Sequence, residues 1–122
     1  MSIRGIRGAT TAESNSKDAI LEATRELLEA LLKNNDIQQE DIASGFFSMT
    51  HDLDAEFPAI AARQIGLTQA PLLCLNEIDV PGSLERCVRI LLHVNTSKPQ
   101  SDIVHSYLKG AVVLRPDFAG KA

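Results

Sequence analysis

Apolar residues change their spacing several times along the chain, and each change marks an element. At the start, Ile3 and Ile6 sit among Gly5, Gly8, Thr10 and Thr11, a mixture that disfavours helix and predicts a strand over Ser2–Ala9. From Ser16 to Asn34 the period becomes helical. Ile20, Ala23, Leu27, Leu28 and Leu31 recur on one side, and Glu22, Arg25, Glu26 and Glu29 fill the other. Ser14–Ser16 offers capping groups and Asn34–Asn35 closes the helix. SGFFSMT predicts a second strand over Ser44–Thr50, followed by a polar connection, HDLDAEF. Pro58, well placed in a first turn, opens a short helix to Ile65. Ala70–Glu77 (APLLCLNE) has the length and apolarity of a buried strand.

After the Pro81-Gly82 turn, Ser83–Arg86 can supply one helical turn. CVRILLHVN then alternates as a strand, with Val88, Ile90, Leu92 and Val94 on one face and Arg89, Leu91 and His93 on the other. A short helix is predicted over Gln100–Leu108, ended by Gly110, and a last strand over Ala111–Pro116. Strands and helices alternating in so short a chain predict an α/β fold: a small mixed β-sheet with helices packed mainly on one face. The other face then needs a partner, and an oligomer is expected.

The 122 residues make one domain over 1–122, with residues 118–122 a short, flexible tail. Hydrophobic residues are 44% and charged residues 23%, ordinary for a soluble globular protein. No apolar run approaches the ~20 residues of a membrane span. No charged-then-apolar leader opens the chain, so a cytoplasmic location with no membrane partner is expected. The net charge of −4 without any basic run argues against nucleic acid as a partner. Cys74 and Cys87 show no CxxC spacing and are expected as free thiols.

In this acidic chain the arginines are placed oddly. Lysines fall near helix ends and turns, whereas Arg7, Arg63, Arg89 and Arg115 interrupt apolar runs. A guanidinium in a strand reaches solvent, meets a carboxylate or receives an anion, and its planar fork suits bidentate binding of carboxylate or phosphate. For each arginine alone, the solvated or ion-paired state is the ordinary one; four in one small domain favour some convergence on an anion. Glu77 is the matching acidic residue. Alone, it is more simply an ion-pair partner of an arginine, or a solvated strand end, than a carboxylate aimed at a ligand. Tyr107 alone is core packing with its hydroxyl at the surface.

The other candidates are weaker. HDLDAEF combines His51, Asp52, Asp54 and Glu56 but matches no metal-ligand spacing, and acids before a helix serve its dipole. GIRG is neither GxGxxG nor GxxxxGK[ST]. Cys74 within an apolar strand is more often an inert thiol than a nucleophile. No metal site is expected.

IRGIRGATT, FPAIAAR, CLNEIDV, LERCVRILLHVN and HSYLKGAVVLRPD together resemble the AroH-class monofunctional chorismate mutases, in order and approximate spacing from Ser2 to about Asp117. The resemblance implies conversion of chorismate to prephenate by an intramolecular Claisen rearrangement, at the branch toward phenylalanine and tyrosine, with no cofactor. It also implies a homotrimer forming a pseudo-α/β barrel, with active sites between subunits. Carried over by motif, Arg89 is the cation at the ether oxygen and Glu77 the carboxylate at the ring hydroxyl. Arg7 and Tyr107 contact a carboxylate. Leu72, Leu73 and Cys74 line the pocket, Phe57 and Ala59 form apolar wall, Arg63 lies at the rim, and Leu114 and Arg115 help close the mouth. Ile60 and Leu73 depart from the lysine and threonine that relatives can carry, and the stretch before Pro71 is one residue shorter than in some. Two other readings remain: a small trimeric enamine/imine deaminase-like enzyme, and a non-catalytic trimer that binds an aromatic-pathway acid.

Overall fold

The structure, a computed structural model, describes residues 1–115. Five strands form one mixed sheet: β1 (Ser2–Thr11), β2 (Ile42–Met49), β3 (Leu72–Asn76), β4 (Cys87–Thr96) and β5 (Ser106–Tyr107), in the order β3-β2-β4-β1-β5. β4 lies at the centre, antiparallel to both β1 and β2, while the short edges β3 and β5 pair in parallel with β2 and β1. Two helices, α1 (Lys17–Asn34) and α2 (Ala59–Gln64), cover one face.

The helical period explains that side of the sheet. Leu27, Leu28 and Leu31 of α1 are fully buried against Ile6 of β1 and Ile90, Leu92 and Val94 of β4. Each such leucine contributes about 2 kcal/mol by leaving water. Ser16 caps α1, its Oγ accepting from the Ala19 amide at 3.2 Å. At the other end the buried Asn35 reaches across the chain. Its Nδ2 donates to the carbonyls of Leu31 (2.8 Å) and Val104 (2.9 Å), and its Oδ1 accepts from the Val104 amide at 2.8 Å.

That clasp changes one predicted element. Gln100–Leu108 is not a helix: a 3₁₀ turn at Gln100–Asp102 gives way to extended chain and then β5. Both backbone groups of Val104 are taken by Asn35, so they cannot enter a helical ladder. Tyr107 therefore lies on a strand, opposite Ala9. Three further expectations are corrected. Ser83–Arg86 is irregular chain ending in a bend rather than a helical turn, with left-handed backbone at Arg86 (φ 49°) and at Gly82 (φ 82°) in the turn before it. The described part of Ala111–Pro116 belongs to a 3₁₀ turn at Lys109–Val113 and the residues after it, not to a strand; Pro116 lies outside the described residues, as does the tail 118–122. Finally, β3 is an edge strand and not a buried one. Its outward residues Leu73 and Leu75 are 51% and 49% exposed.

The helix-free face thus carries Gly5, Arg7 and Ala9 of β1, then Arg89, Leu91 and His93 of β4, then Phe46 and Ser48 of β2, then Leu73 and Leu75 of β3. One end of it is closed by Tyr107, Ala111 and Leu114, which pack on Ala9 and Cys87.

Candidate active site

The open face holds a pocket of about 710 Å³ lined by Arg7, Phe46, Ser48, Leu75, Glu77, Arg89, Leu91 and His93, with Gly8 and Ile90 at its floor. Strand alternation brings the two arginines together. Arg7 pairs with Leu91 and Arg89 with Ala9 across β1 and β4, so the arginines are diagonal neighbours on one face, about 7 Å apart at Cβ by sheet geometry. Arg4, one period off, faces the helices and donates from Nε to the Lys98 carbonyl at 3.1 Å. The Arg7 amide is itself fixed, donating to His105 Nδ1 at 3.1 Å.

Glu77 follows β3 directly, and its amide donates to the Met49 carbonyl at 2.9 Å. Its Oε1 lies 3.2 Å from Arg89 Nε, within ion-pair range. That approach lacks hydrogen-bond direction, and the buried Arg89 Nε has no hydrogen-bond acceptor among the described residues. The other oxygen, Oε2, accepts from the hydroxyl of Ser48. Ser48 pairs directly with Arg89 across β2 and β4. The Cys87 thiol, fully buried beside this array, is pushed up by burial and only partly compensated by the Arg89 charge.

The loop 77–86 between Glu77 and β4 is fastened at both ends to the end of β2. Thr50 exchanges bonds with Cys87, its amide donating to the Cys87 carbonyl and its Oγ1 accepting from the Cys87 amide, each at 3.0 Å. Asp52 Oδ2 accepts from the Arg86 amide at 2.9 Å, and its Oδ1 accepts from the Thr50 hydroxyl at 2.5 Å. Burial pushes the Asp52 carboxyl up, but the Thr50 hydroxyl, the Arg86 and Asp52 amides and the nearby His51 outweigh it. The group is held below its ordinary 3.8. A hollow of about 240 Å³ under this loop is lined by Asp52, Glu77, Asp79 and Glu85, an acidic surface unsuited to an anion.

The remaining acids of HDLDAEF have structural partners. Asp54 exchanges hydrogen bonds with Asn15, and Glu56 accepts from the Phe57 amide at 2.8 Å.

The sequence-derived residues fall into two groups. Arg7, Glu77 and Arg89 line one pocket, and Tyr107 packs at its closed end with Leu114. Phe57 and Cys74 line a separate hollow of about 340 Å³ on the far side of β3. Leu75 borders both hollows. Leu73 faces the open side, whereas Leu72 packs on the core and Ala59 is buried in it. Arg63 is exposed in the last turn of α2, and Arg115 is half-buried beyond the last 3₁₀ turn. Ser48, Phe46 and Leu75 were missed by sequence reasoning. The period of two in SGFFSMT does put Phe46 and Ser48 on one face, but nothing local says that this face meets Glu77.

A family model described as chorismate mutase type I matches residues 3–118. The chain belongs to the chorismate mutase type I family. The chorismate mutase AroH of Thermus thermophilus is 52% identical over 117 residues, covering 95% of this chain and 96% of that protein. The chorismate mutase AroH of Bacillus subtilis is 45% identical over 120 residues, covering 98% and 94%. Among solved structures, a chorismate mutase from Clostridium thermocellum superposes with a TM-score of 0.88 at 53% identity, covering 89% of this chain and 97% of that one. The family resemblance carried by the five sequence segments is borne out, and so is the mixed α/β sheet covered on one side.

Proposed function

We propose that the pocket on the helix-free face is where this chorismate mutase converts chorismate to prephenate, with Arg89 and Glu77 as its catalytic residues. The reaction is internal to one molecule. One C–O ether bond breaks, one C–C bond forms, and no atom enters or leaves. Nothing need be transferred by the protein, so its contribution is to hold a shape and to meet developing charge. Negative charge grows on the ether oxygen as the C–O bond lengthens. A guanidinium at that oxygen stabilises the transition state more than the ground state, and this difference accelerates the reaction. Arg89 suits the role because its buried Nε has no hydrogen-bond acceptor in the described chain. Glu77 faces the ring, accepting from its hydroxyl and opposing the positive character that develops there.

Arg7, on the neighbouring strand, supplies a second cation for a substrate carboxylate, and Tyr107 a hydroxyl donor. Paired cations on one face of an otherwise acidic chain are the observation that carries this reading.

The other residue group implies a second subunit. Phe57 and Cys74 line the hollow on the other side of β3 from Arg89, and Arg63 is exposed on α2. Phe57 is 68% exposed, and Leu73, Leu75, Ile78 and Val80 are further exposed apolar side chains of β3 and the loop after it. In a homotrimer built as a pseudo-α/β barrel, this edge of one subunit walls the pocket of the next. Leu114 and Arg115 close its mouth. The reading places the enzyme in the cytoplasm, where the unpaired Cys74 and Cys87 suit a reducing compartment. Among the described residues no helix is long and apolar enough to cross a membrane.

Mixing the pure protein with chorismate and following loss of its diene absorbance, with prephenate identified as product, tests the activity. Release of ammonia from an enamine acid in place of prephenate formation supports the deaminase reading. Binding without turnover supports the non-catalytic one. Sedimentation at micromolar concentration should give three times the chain mass; a monomer sinks the shared site.

A further inference from the structure

We infer that Ser48 is a positioning residue that restricts Glu77 to one oxygen on Arg89, and so leaves the guanidinium free for the substrate. This rests on the placement of Arg89 and Glu77 in the active site.

The geometry assigns each carboxylate oxygen a different neighbour. Oε2 accepts from the Ser48 hydroxyl, and Oε1 stands 3.2 Å from Arg89 Nε. The two supports differ in rigidity. Ser48 lies inside β2, paired with Arg89 on one side and Leu75 on the other. Glu77 heads a loop whose next residue, Ile78, is 86% exposed. A glutamate at a loop end beside an arginine has an obvious alternative: it turns to give both oxygens to the planar guanidinium. That bidentate pair is the stronger one, and it consumes the donors that an ether oxygen and a carboxylate need. With Oε2 engaged by a neutral donor fixed to the sheet, the carboxylate cannot complete that fork. Ser48 neutralises neither charge, and Oε2 keeps a lone pair for the ring hydroxyl.

In kinetic terms Ser48 acts on the transition state more than on binding. Losing its hydroxyl allows Glu77 to close on Arg89 and withdraws the cation from the oxygen where charge develops. Arg7 still holds a substrate carboxylate. Ser48→Ala is therefore expected to lower kcat about tenfold, the size of one hydrogen bond to a charged group, while KM moves less than threefold. Ser48→Thr keeps a hydroxyl on the same strand position and is expected to restore most of the loss. In a Glu77→Ala background, Ser48→Ala is expected to add less than twofold, since its effect runs through the carboxylate.

The measurement is steady-state kinetics of these variants on chorismate, with thermal melts to confirm that each is folded. Wild-type kcat in folded Ser48→Ala overturns the proposal. So does a loss that persists undiminished once Glu77 is alanine, which would make the effect one of packing. A wild-type protein without activity on chorismate is a different failure, that of the site itself, and the wild-type control reports it separately.

Discussion

Gly8 of β1 and Ser106 of β5 approach so closely that a Cβ on Gly8 would stand 2.3 Å from the Ser106 carbonyl oxygen. The methyl would also press on Leu27 (3.0 Å) and Leu31 (3.2 Å) of α1. The nearest obstacle is backbone and cannot swing aside. Gly8→Ala must therefore push β5 from the sheet edge, and Tyr107 with it. A cost of about 3 kcal/mol, at the upper end for overpacking, is expected, read as a lowered Tm. A Tm within a degree of wild type contradicts this close approach.

Arg89→Ala removes the charge proposed to face the ether oxygen and should lower kcat by about 10²–10³-fold, the scale for loss of one preorganised electrostatic donor. Arg89→Lys should recover only part, because a compact ammonium cannot reproduce the planar fork. Both proteins should fold, since the Arg89 side chain lies in a pocket and not among the helices. Near-normal kcat in Arg89→Ala would show that another group meets the oxygen.

Glu77→Ala should reduce kcat/KM strongly, by about 10²-fold, because the proposed hydrogen bond to the ring hydroxyl and the opposing charge are both lost. Arg63→Ala and Arg115→Ala should act mainly on KM, since their proposed places are at the rim and mouth. Measuring kcat and KM separately distinguishes the cases. A fall in kcat for either arginine equal to that of Glu77→Ala would move it to the inner wall of the site.

Asp52 links stability to acid. Its folded carboxyl titrates below 3.8, whereas the unfolded one titrates at the ordinary value. The stabilisation is thus present above the unfolded value and lost as pH falls through the lowered folded one. Wild type and Asp52→Asn should differ in urea midpoint at pH 7, and the gap should close progressively below pH ~4. A gap that stays constant down to acid unfolding would show that the charge of Asp52 is not what fastens Arg86.

Elements with a single strong period were legible in the chain. The α1 stripe from Ile20 to Leu31 and the alternation of Cys87–Asn95 both appear where the spacing puts them. The period of two in β1 also separates Arg4 from Arg7, three positions apart, onto opposite faces. Elements decided by distant partners were not legible. Val104 is extended because Asn35, 69 positions earlier, holds its amide and carbonyl. The apolarity of Leu72–Leu75 predicts a strand buried on both faces, but one of them is open in the single chain. Of the site, Arg89 and Glu77 could be singled out as charges in the wrong company. The engagement of Glu77 by Ser48 could not, since it depends on the register of β2 against both β3 and β4.

The double fastening of loop 77–86 has an engineering corollary. Met49 holds one end, Thr50 and Asp52 hold the other, and all belong to one short stretch of chain. Residues 78–85 therefore form a loop closed at its base. Exchanging or lengthening residues 81–85, with Ile78 and Val80 kept for the subunit edge, leaves the two anchoring points, and Glu77 with them, where they were. Within one subunit the loop is a port for new sequence at the rim of a fixed reaction centre.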